Sequence, residues 1–356
     1  MNAARAITAP PPELVSQRDI ARHFGVSHVT VSLALRNSPR VSKALGDRIR
    51  THAAAVGYHR DPVLVALADY KKRKTSSVVR GAIAWINAWP EPDRLRAFPG
   101  IDRFWQGAGE AAREYGLRLE EFRLGTELSP ERLHQVLQTR NIRGIILPPH
   151  LPGAGWHGFP WNDYAVVGFG RAGNGPRGHR ILPSAASNVA LALQRLRASG
   201  YRQIGCLTGA GLLRQAGYSM AESVPALRMD FLAELPLLDL AAVPEHEAPV
   251  RVRKWVRAYR LDAVVADDAA TGGWLAKAVF SVPGEVALAT LWADARGDEA
   301  GIDPELADIG RTAIRMLDEL LRETITRATP RFRQVAIEGT WIDGESVVPL
   351  AALQPG

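Results

Sequence analysis

Cysteine is almost absent: Cys206 is the single thiol among 356 residues. One thiol closes no disulfide framework and builds no cysteine metal cluster, which fits a reducing compartment. Long apolar runs are missing too. Nowhere do roughly 18 apolar residues follow one another, and the opening MNAARAITAPPPEL lacks the apolar stretch of a signal peptide, so neither a membrane span nor export is expected. The expected location is cytoplasmic, and residues 1–13, with Pro10, Pro11 and Pro12, read as a disordered tail.

Catalytic signatures are lacking as well. Neither H-E-x-x-H nor G-x-S-x-G occurs, and the nine His are scattered without ligand spacing; His134, beside Leu133 and Leu137, reads as packing. No enzyme activity, no cofactor and no metal is expected. Gly173, Gly175 and Gly178 do spell G-x-G-x-x-G after the apolar run YAVVGF. The context of a dinucleotide site then fails, because Pro176 and HRILPS open no helix and no acid lies about 20 residues on. Those glycines read as a loop.

What is present is unevenly distributed. Residues 1–75 hold 13 Lys and Arg against 5 Asp and Glu; totals of 44 and 37 leave 31 against 32 for the rest. The entire cationic excess sits at the N-terminal end, where a polyanion would be drawn. Lys71, Lys72, Arg73 and Lys74 close that segment as a basic run, either a solvated linker or a phosphate contact.

Residues 14–60 carry three short helical patterns opened by small polar residues. Ser16 with Asp19 suits a capping-box variant, Ile20, Ala21 and Phe24 give a buried stripe, and Gly25 a tight exit. Ser27 caps a second helix with Val31 and Leu35 inward, so His28, Val29, Ser32, Leu33 and Arg36 point elsewhere. Ser42 opens a third, buried through Leu45, Ile49, Ala53 and Val56 and stopped at Gly57. A plain three-helix bundle and a helix-turn-helix both fit this pattern, and the charge favours the second.

The runs DIARHFGVSHVTVSLALRN, RVSKALGDRIRTHAAAVGY and DPVLVALA resemble the headpiece and hinge of the lactose-repressor (LacI) family of bacterial transcription regulators. Weaker similarity continues through RQAGY, VPGEVALATL, AGIDPELADIGRTAIRMLDELL and EGTWIDGES. The resemblance implies base reading by Ser27, His28, Val29 and Leu33, phosphate contacts from Thr30 and Ser32, a contribution from Arg36, and a hinge leucine, Leu67, that wedges into the minor groove. Leu33 replaces an Arg common in relatives, so their operator preference does not transfer. Within residues 61–77, Asp61 and Pro62 open a hinge helix of about two turns, too short to stand alone in water. It is expected to form when two copies meet on DNA, where an inserted side chain kinks the duplex.

From residue 78 to 350, strand-like runs alternate with helical patterns, which predicts an α/β body with parallel sheets covered on both faces. The resemblance implies two doubly wound lobes like those of a periplasmic sugar-binding protein. Crossovers are placed near 172–182, 294–302 and 339–343, giving a first lobe of 78–175 plus 303–339 and a second of 176–302 plus 340–350. Ligands of open α/β sheets bind beyond the carboxyl ends of the strands. Arg214 matches the family's effector-binding Arg, or is a surface ion-pair partner. Asp267 and Asp268 end a strand; Asp268 could accept ligand hydroxyls, or the pair could merely cap the next helix. Trp89, Phe169, Trp274 and Trp292 fall at strand ends as cleft walls or as core. Trp292 and Ser184 stand where many relatives carry acids, so the effector is unlike a simple hexose or the cleft is vestigial. The expected protein is therefore a homodimeric DNA-binding regulator, most simply a repressor, of a near-palindromic operator. It answers to a sugar-like or related metabolite, or acts constitutively or through a partner.

Overall fold

The structure is a computed structural model that describes residues 17–35, 41–56, 58, 81–151, 156, 158–170, 176–224, 235–294, 297–323 and 331–352. The chain divides into two compact units, Met1–Ser76 and Ser77–Gly356. Ser16, Arg36, the hinge with Leu67, the basic run and Gly173 and Gly175 lie outside the described residues.

The first unit holds α1 (Gln17–Phe24), α2 (His28–Leu35) and α3 (Lys43–Ala55). Gly25 takes φ of 63° between the first two, a left-handed turn that a side chain would strain. The Ser27 hydroxyl accepts from the Thr30 amide at 3.1 Å and so caps α2. Ile20, Ala21, Val31, Ala34, Ile49 and Ala53 form the core, with Phe24, Leu35 and Leu45 packed around it. Ser42 precedes α3 but makes no side-chain cap bond. Arg50 of α3 instead reaches α2, its Nη1 donating to the Ala34 carbonyl at 2.7 Å.

The second unit contains two six-stranded sheets. The first comprises β1 (Gly81–Asn87), β2 (Leu117–Arg123), β3 (Gly144–Leu147), β4 (Ala165–Phe169), β5 (His179–Pro183) and β11 (Gln334–Ile337). Its order is β2-β1-β3-β4-β5-β11, parallel throughout. The second comprises β6 (Ile204–Thr208), β7 (Leu237–Asp239), β8 (Ala263–Ala266), β9 (Ala287–Thr290), β10 (Gly301–Asp303) and β12 (Thr340–Ile342). Its order is β7-β6-β8-β9-β10-β12, parallel except for the last pair. The two sheets thus repeat one topology, whose order reverses between β1 and β3 and between β6 and β8. Such reversal points open crevices at the strand ends.

The first lobe boundary differs from that expected. β5 belongs to the first sheet, so the first passage between lobes follows Pro183 rather than residue 175. The other two fall after Asp303 and between Ile337 and Thr340. The physical reason is that HRILP is a fully buried strand whose partners, β4 and β11, flank it on both sides. Helix α6 (Ala185–Ala198) then opens the second lobe, capped by Ser184, which accepts from the Ser187 amide. On one face of the first sheet α4 (Ile101–Glu114) crosses α11 (Leu306–Glu323). A Cβ at Gly107 or Gly310 would run into the facing backbone at Ala307 or Phe104, so glycine sets the closeness of that crossing.

Candidate functional site

Two places merit construction from their residues: the outer face of α2, and the strand ends where the lobes meet. On α2 the periodicity buries Val31 and Ala34 against α1 and α3. Ser27, His28 and Val29 are exposed, Val29 to 52%, while Thr30, Ser32 and Leu33 are half-buried. An apolar side chain left half in water on a short capped helix needs a reason, and contact with base edges or thymine methyls is one. The Ser27 and Thr30 hydroxyls lie 2.9 Å apart at the helix N-terminus, where amides and dipole favour a phosphate.

At the strand ends the side chains meet one another. In the first lobe, the segment after β1 crosses the reversal point: the Trp89 indole N–H donates to the Pro149 carbonyl at 2.6 Å. Trp89 is 0% exposed and Phe169, ending β4, 1%. Phe169 meets Phe98 edge-on and Phe104 at a tilt, with ring centroids 5.8 and 5.9 Å apart. From the second lobe, Leu213, Ala216, Tyr218 and Trp292 enter the same cluster. Trp292 is 7% exposed, lies edge-on to Phe98 at 5.6 Å and to Tyr218 at 5.1 Å, and donates its N–H to the Pro99 carbonyl at 3.0 Å. Arg103 of α4 pairs with Asp303 at 2.5 Å beside this seam.

The second lobe closes its own reversal point with a carboxylate. Buried Asp267 accepts from the Thr208 hydroxyl and, at 3.1 Å, from the Met220 amide. Burial, and then the neighbouring Asp268, push its pKa up to about 6 against those two donors and the Gly209 amide. Tyr218 is also driven up, by burial first and Asp267 second. Its hydroxyl makes no well-formed hydrogen bond, although Asn188 is close enough to oppose that rise. Glu299 is raised by burial and then by Asp268.

The candidate effector residues therefore separate. Trp89, Phe169 and Trp292 come together, but as packed core rather than as open walls, because each lobe supplies the apolar surface that covers the other's. Trp274 does not join them: on α10 (Trp274–Lys277) it packs beside Leu275 in the second lobe's outer cluster, with the Lys277 ammonium 4.0 Å from its ring. Asp268 is buried and caps α9 (Ala269–Gly272), accepting from the Thr271 amide at 2.7 Å. Arg214, on α7 (Leu212–Gln215), pairs with Asp239 at 2.9 Å and stays partly exposed. Phe98, Tyr218 and the Arg103–Asp303 pair were not anticipated. Tyr218 could have been found, since it ends the quoted RQAGY run; Phe98 lies in an irregular segment with no periodicity to mark it. Among the described residues no helix is long and apolar enough to cross a membrane, and no three His, Cys, Asp or Glu side chains converge as metal ligands.

A helix-turn-helix head joined to two repeated parallel-sheet lobes defines a DNA-binding transcription regulator with a periplasmic-binding-protein-like body. Residues 17–61 match the model of "Bacterial regulatory proteins, lacI family", so the head is similar to the DNA-binding domain of that family. Among solved structures, the fold is similar to a "transcriptional regulator CelR-cellobiose complex", with a TM-score of 0.55 at 19% identity, covering 93% of this chain and 99% of that one. A LacI transcriptional regulator from a Rhodococcus species gives 0.54 at 15% identity, covering 76% and 99%. A periplasmic binding protein/LacI transcriptional regulator from Alkaliphilus metalliredigens QYMF, complexed with D-xylulofuranose, gives 0.51 at 15%, covering 75% and 99%. These similarities concern the fold. No curated protein matches the sequence.

Proposed function

We propose that the protein is a homodimeric repressor that reads a near-palindromic operator through Ser27, His28, Val29 and Leu33 of paired heads. Thr30, Ser32 and Arg36 serve phosphate and helix-end contacts, and Leu67 kinks the centre of the site. It is not an enzyme. The observation that carries this reading is the exposed face of α2, with half-exposed Val29, on the segment that holds the whole cationic excess. Selection from random duplexes at about 0.15 M salt tests it. Enrichment of a two-fold repeated site, bound with a steep salt dependence, supports the reading; equal retention of all duplexes sinks it.

For the body, the ligand-responsive reading rests on its two repeated lobes and on relatives whose descriptions name cellobiose and D-xylulofuranose. A ligand between the lobes would change DNA affinity by the difference in its affinity for two lobe arrangements. The second reading, a vestigial cleft, is favoured by a specific observation: Phe98, Phe169, Tyr218 and Trp292 fill the strand-end region with apolar surface. A sugar or sugar acid that shifts the operator affinity of the wild type, and no longer does so in Arg214→Ala, would support the first reading. Unchanged affinity across sugars, sugar acids and nucleosides would support the second.

A further inference from the structure

Arg180 sits in the middle of the first sheet's β5 with 4% of its surface exposed. Its Nη2 donates to the Pro176 carbonyl at 2.5 Å, while Nη1 is buried without any acceptor. Burial alone acts on its proton affinity, and pushes it down; no described carboxylate offsets it. Other arginines of the body behave differently: Arg103 meets Asp303 and Arg333 meets Glu319, although both are far more exposed. Of these three described guanidiniums, the two accessible ones meet carboxylates and the one withdrawn from water does not.

The neighbouring strand is shaped to receive this side chain. Gly168 of β4 stands in register with Arg180, and a Cβ at that position would collide with Nη1. A glycine inside a central strand forfeits packing, so its use here has a cause, and the guanidinium lying over it supplies one. Alternation puts both residues on the sheet face opposite α4 and α11: Val167, Phe169 and Ile181 face those helices, whereas Val166 belongs to the cluster with Leu147 and Phe159. An uncompensated charge in such surroundings is costly unless a counter-charge arrives.

We propose that Arg180, laid across Gly168, is the receptor for a small oxyanion, the carboxylate or phosphoryl group of a metabolite. The guanidinium fork matches two oxygens of such a group, and Nη1 holds the donors with nothing to give to. Nη2 would exchange the Pro176 carbonyl for a charged acceptor. The site is separate from the seam between the lobes and stands whether or not that seam admits a ligand.

Inorganic phosphate and acetate, each titrated into the full-length protein at constant ionic strength against chloride, test this by thermal unfolding and calorimetry. Wild type should show saturable binding of at least one of them and a rise of a few degrees in melting temperature. Arg180→Met should lose both signals and, without added anion, melt no lower than wild type, because it removes an uncompensated charge. Gly168→Ala, which displaces the guanidinium but keeps it, should also lose binding; Arg180→Lys should weaken it about tenfold or more. Equal shifts in wild type and Arg180→Met, no saturable response to either anion, or a lower melting point for anion-free Arg180→Met would each overturn the proposal. Operator affinity of Arg180→Met in anion-free buffer reports separately on the DNA-reading function, which this inference does not require.

Discussion

The head and the body present their candidate residues in opposite ways. On α2 the residues that belong to neither the core nor the caps stay exposed or half-exposed, Val29 among them. In the body the residues at corresponding points of interest, the ends of the strands, are turned into one another until almost none of their surface remains. The difference follows from the size of the partner. A surface that meets a duplex must be open, so the helical period leaves a visible gap in burial. A site for a small molecule is enclosed, and the side chains that could enclose a ligand can equally enclose each other. Whether Trp292 is a wall or a plug depends on what stands across from it, and here Phe98, Tyr218 and the Pro99 carbonyl do.

The largest effect is expected in the body. Trp292→Ala removes the side chain shared between the lobes, and large-to-small truncation of a buried aromatic costs about 3–5 kcal/mol. Denaturant unfolding should show the loss, with operator affinity changed less than tenfold. A cost under about 1 kcal/mol would mean that solvent, not packing, fills the seam. Next comes the head. Val29→Asp places a carboxylate on the outer face of α2, where it disturbs no core contact but would face phosphates. Specific DNA affinity should fall about 100-fold, a change that base-contact energies allow, while the melting temperature stays within about a degree. Equal loss of stability would show that Val29 serves the fold.

How much of this was legible follows the same division. The three head helices, the turn at Gly25 and the buried Val31 could be read because their causes are local: the apolar period, the Ser27 cap and a glycine that tolerates positive φ. The alternation of strands and helices in the body was legible for the same reason, down to the apolar stripe of α11 at Ile309, Met316, Leu317 and Leu320. The lobe boundary was not. HRILP follows a glycine-rich stretch that looks like a linker, yet it is held as a strand by β4 and β11, whose sequences lie at very different distances along the chain. The long-range pairs were hidden too, since Arg103 and Asp303 are two hundred residues apart. Trp274 was misplaced because sequence position puts it just after a strand end, while its helix turns it toward Lys277 and the outer cluster.

A smaller effect is expected from pH. Asp267 titrates near 6 in the folded state, above its ordinary value of about 3.9, because burial penalises its charge. The folded state therefore holds that proton more tightly than the unfolded chain. Its contribution to stability is complete below about pH 4 and is lost as pH rises through about 6, at up to about 1.4 kcal/mol per pH unit. Asp267→Asn should flatten the slope between those limits. An unchanged slope in the variant would assign the pH dependence to other groups.

The smallest effect concerns how the head holds its reading helix. Arg50 donates to the Ala34 carbonyl at the C-terminal end of α2 and to Asp47 on its own helix at 2.5 Å. It thereby satisfies a carbonyl that the helix cannot, and sets a positive charge at the negative end of the dipole. Arg50→Met keeps most of the side chain's apolar length but loses both contributions, worth about 1 kcal/mol together. The last turn of α2 should fray, seen as faster amide exchange there, and operator affinity should fall a few-fold while binding to random DNA falls less. If random and specific DNA lose affinity equally, Arg50 acts as one more cation near the phosphates, and the orientation of α2 does not depend on it.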